Sequence, residues 1–195
     1  MASLKERVSQ LETDLRAAPM RHYVYSDLPF AIFCYRPEQE WEMRSQIRLL
    51  KTRIENDRIR QVTTISLADL LWESIETSEG LNAVRSLERD EGFPAAQTQV
   101  NRYLSDRDWS PLCELLKAPL DRLSPQTHLA FIVRAGALAP NVYRVSKLLD
   151  EMKGRTRVPC VLFMPATTEG QANLKYMGIA ENEARGSYHT KVYAE

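Results

Sequence analysis

The chain has few of the residues that build metal centres and disulfide frameworks. Among its 195 residues there are three histidines and three cysteines. No histidine has a histidine or cysteine three or four positions away, so the sequence predicts no metal site and no cofactor. The cysteines are odd in number and form no Cys-x-x-Cys pair, and two of them lie in apolar runs. We therefore expect Cys34, Cys113 and Cys160 to be buried free thiols in a reducing cytoplasm.

An excess of one charge and a long apolar run are also absent. The 26 basic and 26 acidic residues give zero net charge, so bulk attraction to nucleic acid or to an anionic membrane is not indicated. No stretch approaches the ~18 apolar residues of a membrane-spanning helix. The first residues contain no apolar region typical of a secretory signal. These features predict a cytoplasmic protein that does not contact membranes.

The sequence contains none of the glycine-rich loops that bind phosphate. Neither the P-loop pattern nor G-x-G-x-x-G occurs, and no G-x-S-x-G pattern marks a nucleophile. The loop after the first predicted strand is Arg36-Pro37-Glu38, which is stiff and acidic. We expect Gly136 to supply the positive φ of a tight turn after a later strand. The sequence therefore predicts a protein that is not an enzyme.

Apolar runs alternate with helical patterns along most of the chain. Strands are predicted at residues 31–35, 62–65, 129–133 and 158–164, and an alternating edge strand at 188–193. A helix at 38–57, with Trp41, Ile47, Leu50 and Ile54 on its apolar face, makes the first two strands a βαβ unit and hence a parallel pair. Residues 20–195 are thus predicted to form one three-layer α/β domain. It would be Rossmann-like or P-loop-like without a phosphate loop, and have a mostly parallel sheet of about five strands.

Two further helical segments accompany this domain. Residues 66–124 show four helical patterns and no strand, and residues 67–123 contain 11 acidic and 6 basic residues. This pattern predicts an acidic helical insertion. In residues 1–19, Leu4, Val8, Leu11 and Leu15 repeat on one face of an amphipathic helix. That face must be buried, either on its own domain or on a partner.

The last third of the chain concentrates basic residues that are candidates for docking a partner. They are Arg134, Arg144, Lys147, Arg155 and Arg157. Arg134 directly follows an apolar strand, which is unusual for an arginine. The cluster could bind an acidic protein surface or a phosphate backbone, or it could be only a solvated helix face. Because no aromatic stacking platform is interleaved with the cluster, nucleic-acid binding is weakly supported.

Several segments resemble the BrxB family of bacteriophage-exclusion (BREX) defence systems. The most specific are FIVRAGALAP at residues 131–140 and YRVSKLL at 143–149, and FAIFCYRPE at 30–38 and SYHTKVY at 187–193 also match. The chain departs from the family at residues 163–166, where Phe-Met-Pro-Ala replaces the usual Phe-Tyr-Pro-Gly.

The resemblance implies a component of a complex that also contains a PglZ-type protein and a BrxC-type ATPase. It carries over no catalytic residue. The expected function is a non-enzymatic connector between those larger subunits, with a homodimer possible. The alternatives are a nucleic-acid-binding module of the same system and a degenerate nucleotide-binding domain.

Overall fold

A computed structural model describes residues 2–17, 28–58, 60–140, 142–169, 173–178 and 190–194. The helices in these ranges are α1 (Leu4–Arg16), α2 (Glu40–Asn56), α3 (Leu67–Thr77), α4 (Gly80–Glu91), α5 (Phe93–Ser105), α6 (Leu112–Leu120) and α7 (Val145–Met152). The strands are β1 (Phe30–Tyr35), β2 (Gln61–Ser66), β3 (His128–Val133), β4 (Cys160–Glu169), β5 (Asn173–Tyr176) and β6 (Lys191–Tyr193). Short 3-10 turns cover Pro37–Gln39 and Ala135–Leu138.

The strands form a mostly parallel sheet, which confirms the predicted α/β class. Five parallel strands lie in the order β2-β3-β4-β1-β6, and β5 pairs antiparallel with the end of β4. β6 is an edge strand, as predicted, although Tyr188 and His189 of the predicted segment lie outside the described residues.

The predicted pairing of the first two strands is wrong, because β3 and β4 separate β1 from β2. The burial of each strand accounts for this order. Gln61 and Thr64 of β2 are exposed, which suits an edge, whereas the four central residues of β3 are all buried.

Alternation along the strands divides the core into two layers, one on each face of the sheet. In β1, Phe30 and Ile32 point into the core beneath α3 to α7, whereas Ala31 and Phe33 point into the core beneath α1 and α2. The molecule is therefore a three-layer α/β/α structure, and the helical insertion covers one face only.

Helix α1 packs on its own sheet. Its four periodic apolar residues are 6% exposed or less, and the Ser3–Glu6 capping box fixes its start. Arg7 Nη1 donates a 2.6 Å hydrogen bond to the carbonyl oxygen of Cys34 at the end of β1. Asp14 accepts hydrogen bonds of 2.7 Å from both Lys191 Nζ and Tyr193 Oη on β6. The first helix is thus tied to two strands that lie far from it in sequence.

The apolar face assigned to α2 from the sequence needs one correction. Trp41 is 75% exposed, and Met43 takes the inward position with no exposed surface. At about 3.6 residues per turn, Met43 falls one turn before Ile47 and two before Leu50, whereas Trp41 lies on the opposite side. A large apolar residue at the start of α2 is therefore presented to solvent.

The acidic insertion consists of α3 to α6. Ser66 Oγ accepts a 3.2 Å hydrogen bond from the amide of Asp69 and caps α3, as its sequence predicts. α4 begins at Gly80, after Glu79, and has no buried residue, although Leu81 and Val84 pack partly against the core. The insertion is thus a helical layer whose outermost helix is half-exposed.

The fourth strand is longer than the sequence predicts. It continues past Met164 through Pro165 to Glu169, and its last residues pair with β5. The predicted strand ended at residue 164, just before Pro165, which cannot donate a hydrogen bond to a sheet ladder. Pro165 lies opposite Tyr35, the last residue of β1, so the strand runs on beyond the end of its neighbour.

Candidate docking site

The carboxyl ends of β3 and β4, where ligands bind in many α/β folds, are packed with the chain's own residues. Tyr176 of β5 donates a hydrogen bond to the carbonyl oxygen of Ala135, and the amide of Met177 donates one of 2.8 Å to the carbonyl oxygen of Pro165. A Cβ atom on Gly136 would lie 3.5 Å from Pro165. Residues of β5 and of the turn after it therefore pack against the carboxyl ends of β3 and β4 on the face of the sheet that α3 to α7 cover.

The turn after β3 takes its unusual backbone from Arg134, and the prediction for Gly136 was wrong. Arg134 has a φ of 59° and a ψ of 36°, in the left-handed region, whereas Gly136 does not have a positive φ. An L-residue there costs about 1–2 kcal/mol. The Arg134 side chain is 49% exposed and lies 3.5 Å from Asp69, whose own side chain is 72% exposed. The guanidinium of Arg134 therefore extends from a strained backbone position and has one weak carboxylate contact among the described residues.

Two further cations lie where α7 begins, toward the same edge of the sheet. Arg144 precedes the first residue of α7 in an extended conformation, and its side chain is exposed. Lys147 lies 5.0 Å from the centre of the Tyr143 ring and 3.7 Å from a carboxylate oxygen of Glu151. These contacts hold the Lys147 side chain along α7, so the Arg144 side chain is less restrained than that of Lys147.

The last two cations of the predicted cluster lie near the opposite edge of the sheet, because they precede the amino end of β4. Arg155 forms an ion pair with Glu114 of α6, and this hydrogen bond raises the pKa of Arg155 above its usual value. Arg157 is exposed. The structure therefore does not bring the five predicted residues together on one face.

The five cations differ most in whether a carboxylate of the chain already balances them. Arg134, Lys147 and Arg155 each have an acidic partner. Arg144 and Arg157 form no ion pair within the ranges that the structure describes. These two residues are the cations of the predicted cluster that remain available to a partner.

Sequence reasoning missed a pocket of about 180 Å³ beside α2. Its lining is mostly apolar with a ring of charged groups: Tyr35, Glu40, Met43, Arg44, Ile47, Arg48, Thr64, Val133 and Arg134. Small-molecule sites usually measure roughly 300–1,000 Å³, so this pocket suits one large side chain better than a cofactor. No local sequence pattern marks this pocket, because its walls come from α2 and from three strands that tertiary contacts bring together.

Tyr35 and the three cysteines of the chain are held in protonated states that do not suit acid–base or nucleophilic chemistry at neutral pH. Glu40 accepts hydrogen bonds from Tyr35 Oη at 2.5 Å and from Arg44 Nε at 2.8 Å. Burial and the contact with Glu40 raise the pKa of Tyr35. Burial also raises the pKa of the Cys34 thiol to about 12, and the thiols of Cys113 and Cys160 are raised in the same direction. Each of these thiols is therefore protonated at neutral pH.

The described ranges contain neither a cluster of metal ligands nor a membrane-spanning helix. No group of three or more His, Cys, Asp or Glu side chains there is placed to hold a metal ion. Of the helices just described, none has the length and apolarity needed to cross a membrane.

The fold and this site define a class: an α/β domain with a parallel sheet and exposed cations around its edges. The family model described as "BREX protein BrxB" matches residues 63–190, about two thirds of the chain. A BREX protein BrxB from Bacillus cereus (strain H3081.97) is 23% identical over 175 residues, which cover 87% of this chain and 88% of the relative. No solved structure matches significantly. The chain belongs to the BrxB family of BREX proteins, and this membership implies a role in phage defence.

Proposed function

We propose that this protein is a non-enzymatic connector that holds larger BREX subunits together, with a PglZ-type protein and a BrxC-type ATPase as its partners. The observation that carries the proposal is Arg144, an exposed cation with no ion-pair partner in the described part of the chain. A buried carboxylate on a partner would form the ion pair that Arg144 lacks in the described part of the chain. Arginine suits this role because its planar fork binds a carboxylate through two hydrogen bonds.

The uneven distribution of charge supports a protein with two docking surfaces. Residues 67–123 carry 11 acidic and 6 basic residues, a net charge of −5. Since the whole chain is neutral, the remainder has 20 basic and 15 acidic residues, a net charge of +5. The acidic helices cover one face of the sheet, so partners of opposite charge would be attracted to different parts of the molecule.

The state of the potential catalytic groups also favours a connector. The thiols and the tyrosines beside carboxylates have raised pKa values, and Tyr176 of β5 packs against the turn that follows β3. A connector needs stable surfaces and no activated nucleophile.

Co-purification tests this proposal. The tagged chain is expressed with the PglZ-type protein and, separately, with the BrxC-type ATPase. Arg144→Glu should leave thermal stability unchanged within about 0.5 kcal/mol, because the side chain is exposed. It should reduce capture of one partner and reduce phage protection in cells.

A matched control is Arg58→Glu, just after α2, which reverses another exposed arginine without an ion pair in the described ranges and lies outside the acidic insertion. Capture and protection should survive this change. If Arg144→Glu and Arg58→Glu proteins both capture each partner as the unchanged protein does, Arg144 has no docking role. If the unchanged protein captures neither subunit, the connector role is wrong.

A further inference from the structure

The outer side of α2 carries a second surface, distinct from the cations around α7. Trp41 is 75% exposed and Leu49 is 53% exposed, and both are among the large apolar side chains most open to solvent. They lie on the exposed side of α2, about 12 Å apart along its axis. Exposed tryptophan and leucine side chains on one helix face are typical of a surface that is covered when a partner binds.

The Trp41 end of this apolar surface adjoins the pocket beside α2. The guanidinium of Arg44 lies 4.6 Å from the centre of the Trp41 ring and also lines the pocket. Arg48 and Arg134 complete the cationic rim, above an apolar floor formed by Met43, Ile47 and Val133.

The charge of the pocket is positive and only partly balanced within the chain. Its one carboxylate, Glu40, is already bonded to Arg44 and Tyr35. Arg48 donates a 3.1 Å hydrogen bond to Ser45 Oγ, and in the described part of the chain it forms no ion pair. Among the described residues, Arg134 pairs with Asp69 alone, through the weak 3.5 Å contact. An occupant that complements this pocket carries an apolar side chain flanked by carboxylates.

We propose that Trp41, Leu49 and the pocket rimmed by Arg44, Arg48 and Arg134 form a docking site for an acidic protein segment with one large apolar anchor residue. The anchor enters the pocket, the carboxylates pair with Arg48 and Arg134, and the backbone of the segment covers Trp41. The site does not include Arg144, so it stands independently of the α7 cations.

A protein segment fits this surface better than single-stranded nucleic acid does. A strand of nucleic acid needs a cationic groove along several phosphates together with stacking platforms. Here the pocket is small and apolar, and the exposed Glu42 lies directly after Trp41. A phosphate backbone following α2 would meet that carboxylate.

Fluorescently labelled synthetic peptides provide the probe, with binding measured by anisotropy on the full chain. Peptides of about 12 residues carry a central Leu, Phe or Trp flanked by Glu, and matched peptides carry Lys in place of Glu. The acidic peptides should bind with dissociation constants below about 1 mM, and the basic ones should bind at least about tenfold more weakly.

Matched variants locate the binding. Arg48→Glu and Trp41→Ala should each weaken acidic peptides by about tenfold or more, since each removes a central contact. Arg89→Glu on α4 and Trp72→Ala on α3, whose tryptophan is 50% exposed, should change binding by less than about twofold.

Three outcomes overturn the inference. The first is the absence of binding to every acidic peptide at about 1 mM. The second is equal weakening in the α2 variants and their controls. The third is tighter binding of a single-stranded DNA of about 20 nucleotides that Trp41→Ala abolishes, because this result would assign the surface to nucleic acid.

Discussion

Replacing Arg134 by glycine and by alanine isolates the energy of its left-handed backbone. Both changes remove the same guanidinium and the same 3.5 Å contact with Asp69, so that contact cancels in the comparison. Alanine retains the steric cost of a φ near 59°, about 1–2 kcal/mol, which glycine escapes. Glycine in turn lowers the free energy of unfolding by about 0.5–1 kcal/mol relative to alanine, because an unfolded chain has more conformational freedom at glycine. The Arg134→Gly protein should therefore be more stable than Arg134→Ala by about 0.75 kcal/mol, the middle of a range that reaches about 1.5 kcal/mol.

Urea unfolding followed by far-ultraviolet circular dichroism measures this difference. The two proteins should have equal slopes and different midpoints, because neither change alters the surface exposed on unfolding. If Arg134→Ala is as stable as Arg134→Gly or more stable, the residue is not held in the left-handed region. The two variants should lose the same amount of affinity for acidic peptides at the α2 surface, since both lack the guanidinium.

Three further predictions concern the core, pH and nucleotide. Leu11→Ala, at a fully buried position of α1, should lower the free energy of unfolding in urea by about 2–5 kcal/mol. Leu49→Ala, at a position 53% exposed, should lower it by less than about 0.5 kcal/mol. Similar losses in the two variants would mean that α1 does not pack on the sheet. Burial would raise the pKa of Asp14, but its hydrogen bonds from Lys191 and Tyr193 outweigh burial and hold it below the usual 3.8. The unchanged protein should thus be more stable than Asp14→Asn above pH 3.8, and this difference in unfolding free energy should vanish as acid protonates the carboxylate in the folded protein. A difference that grows in acid would contradict a lowered pKa for Asp14. The chain should not hydrolyse ATP or bind it with a micromolar dissociation constant in calorimetry, and detection of either would restore a nucleotide site.

The parts of the fold that the sequence predicts are those where local patterns suffice. The apolar run of β3, the capping box of α1 and the Ser66 cap of α3 each depend on neighbours in sequence, and the structure has all three. The pairing of β1 with β4 and the docking of α1 on β6 depend on contacts between distant residues. Local periodicity does not encode those contacts.

The missed features have specific physical reasons. The four-residue β5 is too short to show a period, and Pro165 suggests a loop although the strand continues beyond its neighbour. The left-handed Arg134 is a conformation that glycine or asparagine normally adopts, so its sequence gives no sign of it.

The basic cluster was inferred from proximity in sequence, which does not reveal that α7 separates its members. Arg144 precedes this helix of eight residues and Arg155 follows it, so the two lie more than about 12 Å apart along the axis. The predicted docking role of these residues stays a prediction, and Arg144 and Arg157 are the members that form no ion pair with another described residue.

The most direct test of a connector is whether it joins two subunits at once. A tagged PglZ-type protein is immobilised and exposed to the BrxC-type ATPase with and without the untagged chain. The ATPase should be retained only when the chain is present, and substituting the Arg144→Glu protein should reduce its retention. Equal retention with and without the chain, or displacement of the ATPase by it, would contradict the connector role.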